Sequence, residues 1–467
     1  MSDEFDVVVI GAGPPGENAA GRAADGGLSV AIVEERLVGG ECTFYGCIPS
    51  KTLIRPGDVV AAGRRVPGAA EAVTGAIDVK AAFARRDYMT SDWSDGTQTP
   101  WLDEEGIELV RGHGRLAGDR TVEVELKDGT GVRRLAARRA VVIACGSAPA
   151  MPPITGLREA KPWDNVAITS AKELPRRLVV LGGGAIGAEM AQCFRRLGTE
   201  EVTVVEGAPR LLSREEPFAG QEVQAAFERE GIAVLTGARC AAVRRGGADG
   251  PVTAVLEDGR DLVGDEMLVA VGRRPRTDDI GLATVGLGHL SGKWLAVDDQ
   301  LRIEGSSDGW LYAVGDCNGA ALFTHMGKYQ GRVAGDVILG KDVRDVADHD
   351  KVPRITFTDP QVAAIGLTEE QAREKGIELR VVSYPTGGVA GAYVRGNDIN
   401  GTSQIVVDQR RRVLVGATFT GPDVQELLHS ATVAVVGEVP LDRLWHAVPS
   451  FPTVSEVWLR LLEAYGL

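Results

Sequence analysis

The sequence predicts an α/β chain with two Rossmann-like dinucleotide-binding domains, followed by a C-terminal α+β domain. Three observations predict it. Two glycine-rich turns in G-x-G-x-x-G spacing each follow an apolar run and open a helical segment. Each is answered, some two dozen residues later, by a glutamate closing a second apolar run. From about Pro353 the texture changes to short β-like runs, "SQIVVD" and "RVLVGATF", with helical segments between. With 467 residues the chain is too long for one hydrophobic core, so two to four domains are expected.

The first unit is "FDVVVIGAGPPGENAA". Phe5 to Ile10 is continuously apolar rather than alternating, the pattern of a buried parallel strand. Gly11, Gly13 and Gly16 then open an alanine-rich helix, and the next strand, "LSVAIV", leads to Glu34. The unit recurs in "RRLVVLGGGAIGAEMA", with Gly182, Gly184 and Gly187, and in "EVTVVE", which ends at Glu206. This is a duplication of a module, not a short-period solenoid. The first glycine of each set permits the tight turn. The second admits a pyrophosphate to the backbone, and the third lets helix and strand pack closely. The helix N-terminus then faces phosphate with unsatisfied N–H groups. Each glutamate stands where an acid meets the ribose of an adenine nucleotide.

Between and after these units, "AVVIACGSAPAMPPI" is a strand and turn that crosses from one nucleotide domain to the next. "LVAVGRRPRTDDIGL" is the return crossing, and "GWLYAVGDCNGA" is a strand ending at Gly315-Asp316. Four segments result: 1–150, 151–275, 276–348 and 349–467.

A net charge of −14 argues against nonspecific nucleic-acid or anionic-membrane binding. No apolar run reaches the ~18 residues of a membrane span. "MSDEFD" is neither a signal nor a transit peptide, so a cytoplasmic location is expected. Six cysteines are present, and only Cys42 and Cys47, in "GGECTFYGCIPSK", are close neighbours. There is no CxxC, so no metal site is expected. Cys145, Cys193, Cys240 and Cys317 read as small buried hydrophobes. In a reducing compartment a close pair is reactive rather than structural. The first glycine unit runs straight into that pair. Thiols exchange electron pairs readily with a flavin, which assigns FAD to the first site and a nicotinamide nucleotide to the second.

The chain resembles the pyridine nucleotide-disulfide oxidoreductases, the FAD enzymes that include dihydrolipoamide dehydrogenase, glutathione reductase and mercuric reductase. The likeness rests on "GAGPPG", "CTFYGCIPSK", "GGGAIGAE", "VAVGRRP", "YAVGD" and "FTDPQVAAIGLT", and runs essentially end to end. It implies an FAD domain in two parts (1–150 and 276–348), an inserted NAD(P) domain (151–275) and a C-terminal α+β dimerisation domain (349–467) in a homodimer. It makes Cys42–Cys47 the redox-active disulfide. Cys47 is then the flavin-side, charge-transfer thiol and Cys42 the interchange thiol. Lys51 and Glu189 match an ion pair near the flavin N5 side, and Asp316 matches the aspartate that bonds the ribityl chain. Gly114, Gly146 and Thr324 join the FAD set, and Gly272 joins the nucleotide set. NADH is preferred over NADPH, because Glu206 accepts ribose hydroxyls and repels a 2′-phosphate. Gly207 and Ala208, not cations, follow that strand, although Arg210 is near.

Three departures stand against the resemblance. The family motif His-Pro-Thr-x-x-Glu, whose histidine serves as acid and base in the partner subunit, reads here "FPTVSE". Glu456 remains, but Phe451 replaces the base and cannot move a proton. The histidines are His113, His289, His325, His349, His429 and His446. His446 is nearest in sequence and reads as structural or solvated, the alternative being that the chain folds back and His446 replaces the missing base. Second, Phe44 and Tyr45 stand between the cysteines, either shaping a planar pocket or packing under the flavin domain. Third, Glu41 precedes Cys42 where Thr or Ser is usual, and would raise a neighbouring thiol pKa if it pointed inward. The C-terminal helix with Trp458, Leu459 and Leu462 reads as dimer-interface packing.

The preferred function is therefore electron-pair transfer between NAD(H), FAD, the Cys42–Cys47 disulfide and a small-molecule thiol or disulfide, lipoamide being disfavoured. The alternative is direct flavin reduction of a quinone-like acceptor, a metal ion or oxygen. A non-catalytic redox sensor is the third reading.

Overall fold

The structure, a computed structural model, describes residues 3–247, 250–347 and 350–467. The expected boundary at 348/349, and with it His349, lies outside the described residues. The chain forms two compact units. One comprises Met1–Pro49, Asp87–Ala150 and Arg273–His349; the other comprises Ser50–Arg86, Met151–Gly272 and Asp350–Leu467. These units are not contiguous in sequence, and residues 50–86 group with the second.

The first unit is built on a six-stranded sheet. Its parallel part joins Glu4–Ile10, Val30–Glu34, the start of Glu108–Leu116, the end of Val132–Ile143, and Leu311–Ala313. An antiparallel extension runs through Thr121–Leu126. The central strand is buried on both faces, which is why it reads as an unbroken apolar run. Ile10 lies opposite both Val33 and Ile143, and Ala313 lies opposite Ile143. Four strands thus end at one edge, where ligands of open α/β sheets bind. On one face, the helices Pro14–Asp25 and Thr324–Ile338 meet through small residues. A β-carbon at Gly331 would fall 2.4 Å from the Pro15 carbonyl oxygen.

The second unit holds two sheets of different kinds. A four-stranded parallel sheet orders Glu266–Val269, Arg177–Leu181, Glu201–Glu206 and Ile232–Thr236. The helix Ala185–Leu197 packs on it through Ala188, Ala191 and Phe194. The last part of the chain is a five-stranded antiparallel sheet carrying the helices Val424–Val436 and Val457–Tyr465. Trp458 and Leu462 are buried in this sheet's own core, Trp458 edge-on to Phe419 at 5.6 Å. This corrects the expectation that they serve a dimer interface, because the sheet face needs its own apolar cover. Val433, Val448 and Phe451 are instead left exposed, at 55%, 85% and 74%. No helix among the described residues is long and apolar enough to cross a membrane.

Candidate functional site

The first glycine turn sets the floor of the site. Gly11 has φ +104°, a conformation that favours glycine, and a β-carbon there would lie 2.4 Å from the Ala144 carbonyl oxygen. At Gly16 a β-carbon would lie 1.9 Å from the Gly11 carbonyl oxygen, so helix and turn close only without one. Gly13 is different: a β-carbon there meets nothing nearer than 3.9 Å, and the backbone opens on a cavity of about 360 Å³. Glu34 is fixed by accepting the Ala12 N–H at 2.8 Å and the Arg36 N–H at 2.6 Å. Burial pushes its carboxyl pKa up against those bonds. Gly114, Gly146, Asp316 and Thr324 line the same cavity, as do Cys42 and Tyr45.

The two thiols sit where two helices meet end to end. Cys42 lies in the short helix Gly40–Phe44, and Cys47 opens the helix Cys47–Arg64. Their side chains hydrogen-bond to each other. That bond, burial and the charge Cys47 would carry all push the Cys42 thiol up in pKa, so Cys42 keeps its proton. The Cys47 sulfur is exposed and lies 3.4 Å from Thr324 Oγ1. Phe44 and Tyr45 divide the two expectations between them. Phe44 is buried and its carbonyl accepts the Trp93 indole N–H at 3.1 Å. Tyr45 faces the cavity with the Arg36 guanidinium 5.1 Å over its ring.

Glu41 is engaged by two arginines. Its carboxylate accepts Arg273 at 2.6 Å and Arg276 at 2.7 Å. Burial would raise its pKa, but the two guanidiniums outweigh that and hold it below the usual carboxylate range. Arg273 also donates to Ser147 Oγ at 2.6 Å, and Ser147 bonds Asp316. Burial raises the Asp316 pKa against the bond from Ser147 and the charge of Arg273. Ser147, Arg273 and Arg276 escaped the sequence reading, which saw only two crossing segments. Those segments pair antiparallel, Pro275 opposite Ser147, and that pairing makes the network. The arginine-rich run "GRRPRT" was the available signal.

The second glycine turn repeats the first. Gly182 has φ +104°, and a β-carbon at Gly187 would lie 1.9 Å from the Gly182 carbonyl oxygen. Around Gly184 a β-carbon would meet nothing within 4 Å. Glu206 accepts the Gly183 and Ala208 N–H groups, each at 2.6 Å. Gly272 also takes a positive φ, +131°. One cation is new: the Arg239 side chain flanks Gly207, within 3.9 Å of where a β-carbon would be. Arg210, the cation expected nearby, instead donates to the Glu215 carbonyl at 2.8 Å. Also in this unit, Lys51 Nζ bonds Glu189 at 2.7 Å, and Glu189 accepts the Phe357 N–H at 2.9 Å. Lys51 stands one helical turn beyond Cys47.

At the C-terminal motif, Phe451 is exposed and Glu456 is buried. Glu456 is held by Arg460 at 2.8 Å and by the Ala390 N–H at 3.3 Å. His446 lies exposed five residues before Phe451. Among the described residues, no cluster of three or more His, Cys, Asp and Glu could hold a metal ion.

Fold and site together define a dithiol protein with two dinucleotide turns. The comparisons sharpen that class. Residues 5–333 match the pyridine nucleotide-disulphide oxidoreductase family, and residues 352–461 match its dimerisation domain. A dihydrolipoyl dehydrogenase of Mycobacterium tuberculosis is 35% identical over 457 residues, covering 97% of this chain and 96% of that one. A mercuric reductase of Staphylococcus aureus is 29% identical, covering 97% and 81%. The Cu(II) complex of RclA, an HOCl-induced flavoprotein disulfide reductase from Escherichia coli, superposes with a TM-score of 0.86 at 26% identity, covering 99% of each chain. The chain belongs to the pyridine nucleotide-disulphide oxidoreductase family. It is an FAD-dependent enzyme acting on sulfur groups, with NAD(P)H as redox partner and a domain for homodimerisation.

Proposed function

We propose that this enzyme passes electron pairs between NADH and a small-molecule thiol or disulfide other than lipoamide, through Cys42 and Cys47. The observation that carries the reading is the mutually bonded thiol pair beside the cavity, in a chain whose only residue at the base position is a phenylalanine. The cavity fits a dinucleotide, since Gly13 opens onto it without obstruction and Glu34 stands at its end. Gly11, Gly13, Gly16, Glu34, Gly114, Gly146, Asp316 and Thr324 would hold FAD, which when bound supplies two-electron exchange between nicotinamide and sulfur. Gly182, Gly184, Gly187, Glu206 and Gly272 would hold NADH, the Glu206 carboxylate disfavouring a 2′-phosphate. On this reading 1–150 and 276–348 serve FAD, 151–275 serves NADH and 349–467 the dimer, in the cytoplasm.

On this reading Cys47 is the flavin-side, charge-transfer thiol, its sulfur 3.4 Å from Thr324 Oγ1. Cys42, still protonated, is the sulfur that exchanges with substrate. Lys51, ion-paired with Glu189, stands one turn along the helix from Cys47. With Phe451 at the base position and Glu456 already engaged by Arg460, the motif itself offers no imidazole to manage the proton on Cys42 or on substrate. A positioned base is worth roughly 10²–10⁴ in rate. An ordinary thiol, of pKa about 8.5, is only a few per cent thiolate at neutral pH. Substrates that ionise easily, or disulfides with good leaving groups, are therefore favoured.

Anaerobic titration with NADH tests this. Uptake of two electron pairs, with a long-wavelength thiolate–flavin band, is expected. Cys42→Ser should keep FAD and lose thiol–disulfide turnover; normal turnover in that variant excludes the relay. Tyr45 on the cavity wall favours one second reading, a quinone-like acceptor reduced without the thiols. NADH–quinone activity that survives loss of both cysteines would identify it.

A further inference from the structure

Two of the cysteines read as inert hydrophobes are neighbours. Cys145 follows the strand Val132–Ile143, and Cys317 lies in the short turn Gly315–Asn318 after Leu311–Ala313. Those strands pair in parallel, Ala313 opposite Ile143, so their loops leave the sheet side by side. Cys317 is fully buried, its sulfur 3.4 Å from the Ile143 carbonyl oxygen and 3.3 Å from that of Val314. The Cys145 thiol is within hydrogen-bonding reach of it. Cys145 itself is half-buried and lines the cavity that contains Gly11, Gly13 and Asp316. A second link joins the same two loops, the hydrogen bond between Ser147 and Asp316.

We propose that Cys145 and Cys317 are a second redox dithiol, which a peroxide closes to a disulfide, tying together the loops that carry Ser147 and Asp316. Access orders the steps. Cys317 has no exposed surface, and its hydrogen bond with Cys145 and burial keep its thiol protonated, so the oxidant meets Cys145 first. The Cys145 sulfur attacks one peroxide oxygen, the O–O bond breaks, and water leaves with a sulfenic acid on Cys145. The Cys317 sulfur then attacks the Cys145 sulfur. The S–O bond breaks, the Cys317 proton leaves with the departing hydroxide as a second water, and the S–S bond forms. Each sulfur has lost one electron and the peroxide has gained two. The FAD reading bears on two points: FAD in this cavity would flank Cys145, so only an oxidant as small as hydrogen peroxide reaches it, and the bridge fixes the Ser147–Asp316 pair, and with it the flavin's surroundings.

The test reads sulfur directly, on the holoenzyme. The protein is treated with hydrogen peroxide, its remaining thiols are alkylated after unfolding, and it is digested without reductant for mass spectrometry. A linked peptide pair containing Cys145 and Cys317, lighter by two hydrogens and separated by dithiothreitol, is expected. It is expected equally in a Cys42→Ser/Cys47→Ser variant, so failure of the thiol relay would leave it standing. Recovery of Cys317 fully alkylated, with Cys145 either alkylated or over-oxidised, overturns the proposal. In Cys145→Ser, Cys317 should survive as a free thiol. A peroxide-induced shift of the flavin absorbance is expected in the wild type and not in Cys145→Ser; an unchanged band in bridged wild type overturns the lock.

Discussion

The two glycine turns are near copies in backbone and differ in what surrounds them. Gly11 and Gly182 share φ +104°, and Gly16 and Gly187 leave the same 1.9 Å clearance for a β-carbon. Glu34 and Glu206 each bind the N–H of the residue after the first glycine and the N–H two positions beyond themselves. Past the third glycine the copies part. Glu17 follows Gly16, whereas Ala188 and then Glu189 follow Gly187. Glu17 is mostly buried with its Oε1 unpartnered, and desolvation raises its pKa to about 7. Glu189 is buried too, but Lys51 and the Phe357 N–H satisfy it. One backbone design thus recurs in two surroundings, and the side chains one step outside it differ most.

The comparison breaks most sharply at the third glycines. Gly16→Ala should leave the protein without FAD, while Gly187→Ala should keep FAD and lose reduction by NADH. Each introduces an overlap costing about 1–3 kcal/mol at its own turn; flavin content and stopped-flow reduction would tell them apart. Next in size is Phe451→His. If the absent base limits dithiol substrates, this change should raise their turnover by a fraction of the roughly 10²–10⁴ that such a base is worth, in steady-state assays.

A smaller effect separates the two acids. Glu206→Gln should relax selectivity toward NADPH by about tenfold, an attraction helped by Arg239, because a like-charge contact is removed. Glu34→Gln should leave the NADH/NADPH ratio unchanged, and kcat/KM for both nucleotides checks this.

The smallest effect concerns Glu17. Its folded pKa, about 7, lies above the ordinary 4.5. The protonated form is the one that suits the fold. Its contribution is therefore complete below pH 4.5 and is lost as pH rises through 7. Glu17→Gln should stabilise the apoprotein at pH 8 by about 1–3 kcal/mol and flatten its stability between pH 5 and 8, as read by denaturant melts. No such change is expected around Ala188.

Much of the site was legible because its signals are local. Gly11 and Gly182 stand in the G-x-G-x-x-G spacing that their positive φ angles require, Cys42 and Cys47 are close neighbours in sequence, and Lys51 entered through the family resemblance. The companion residues were not legible. The sequence left open whether Glu41 points toward the thiol; Arg273 and Arg276, far along the chain, take its carboxylate up. Trp458 and Leu462 looked like interface, yet their own sheet buries them. An amphipathic stripe states that a face is covered, not by what.

By itself the sequence determined the two glycine turns, the glutamates that bind them and the close cysteine pair, since each is set by backbone conformation and spacing within a few dozen residues. The tertiary structure alone decided which charges meet Glu41, that Ser147 reaches Asp316, and that Cys145 stands against Cys317. Those meetings depend on strand pairing and crossing segments that bring distant residues to one sheet edge, and no local pattern encodes such an approach.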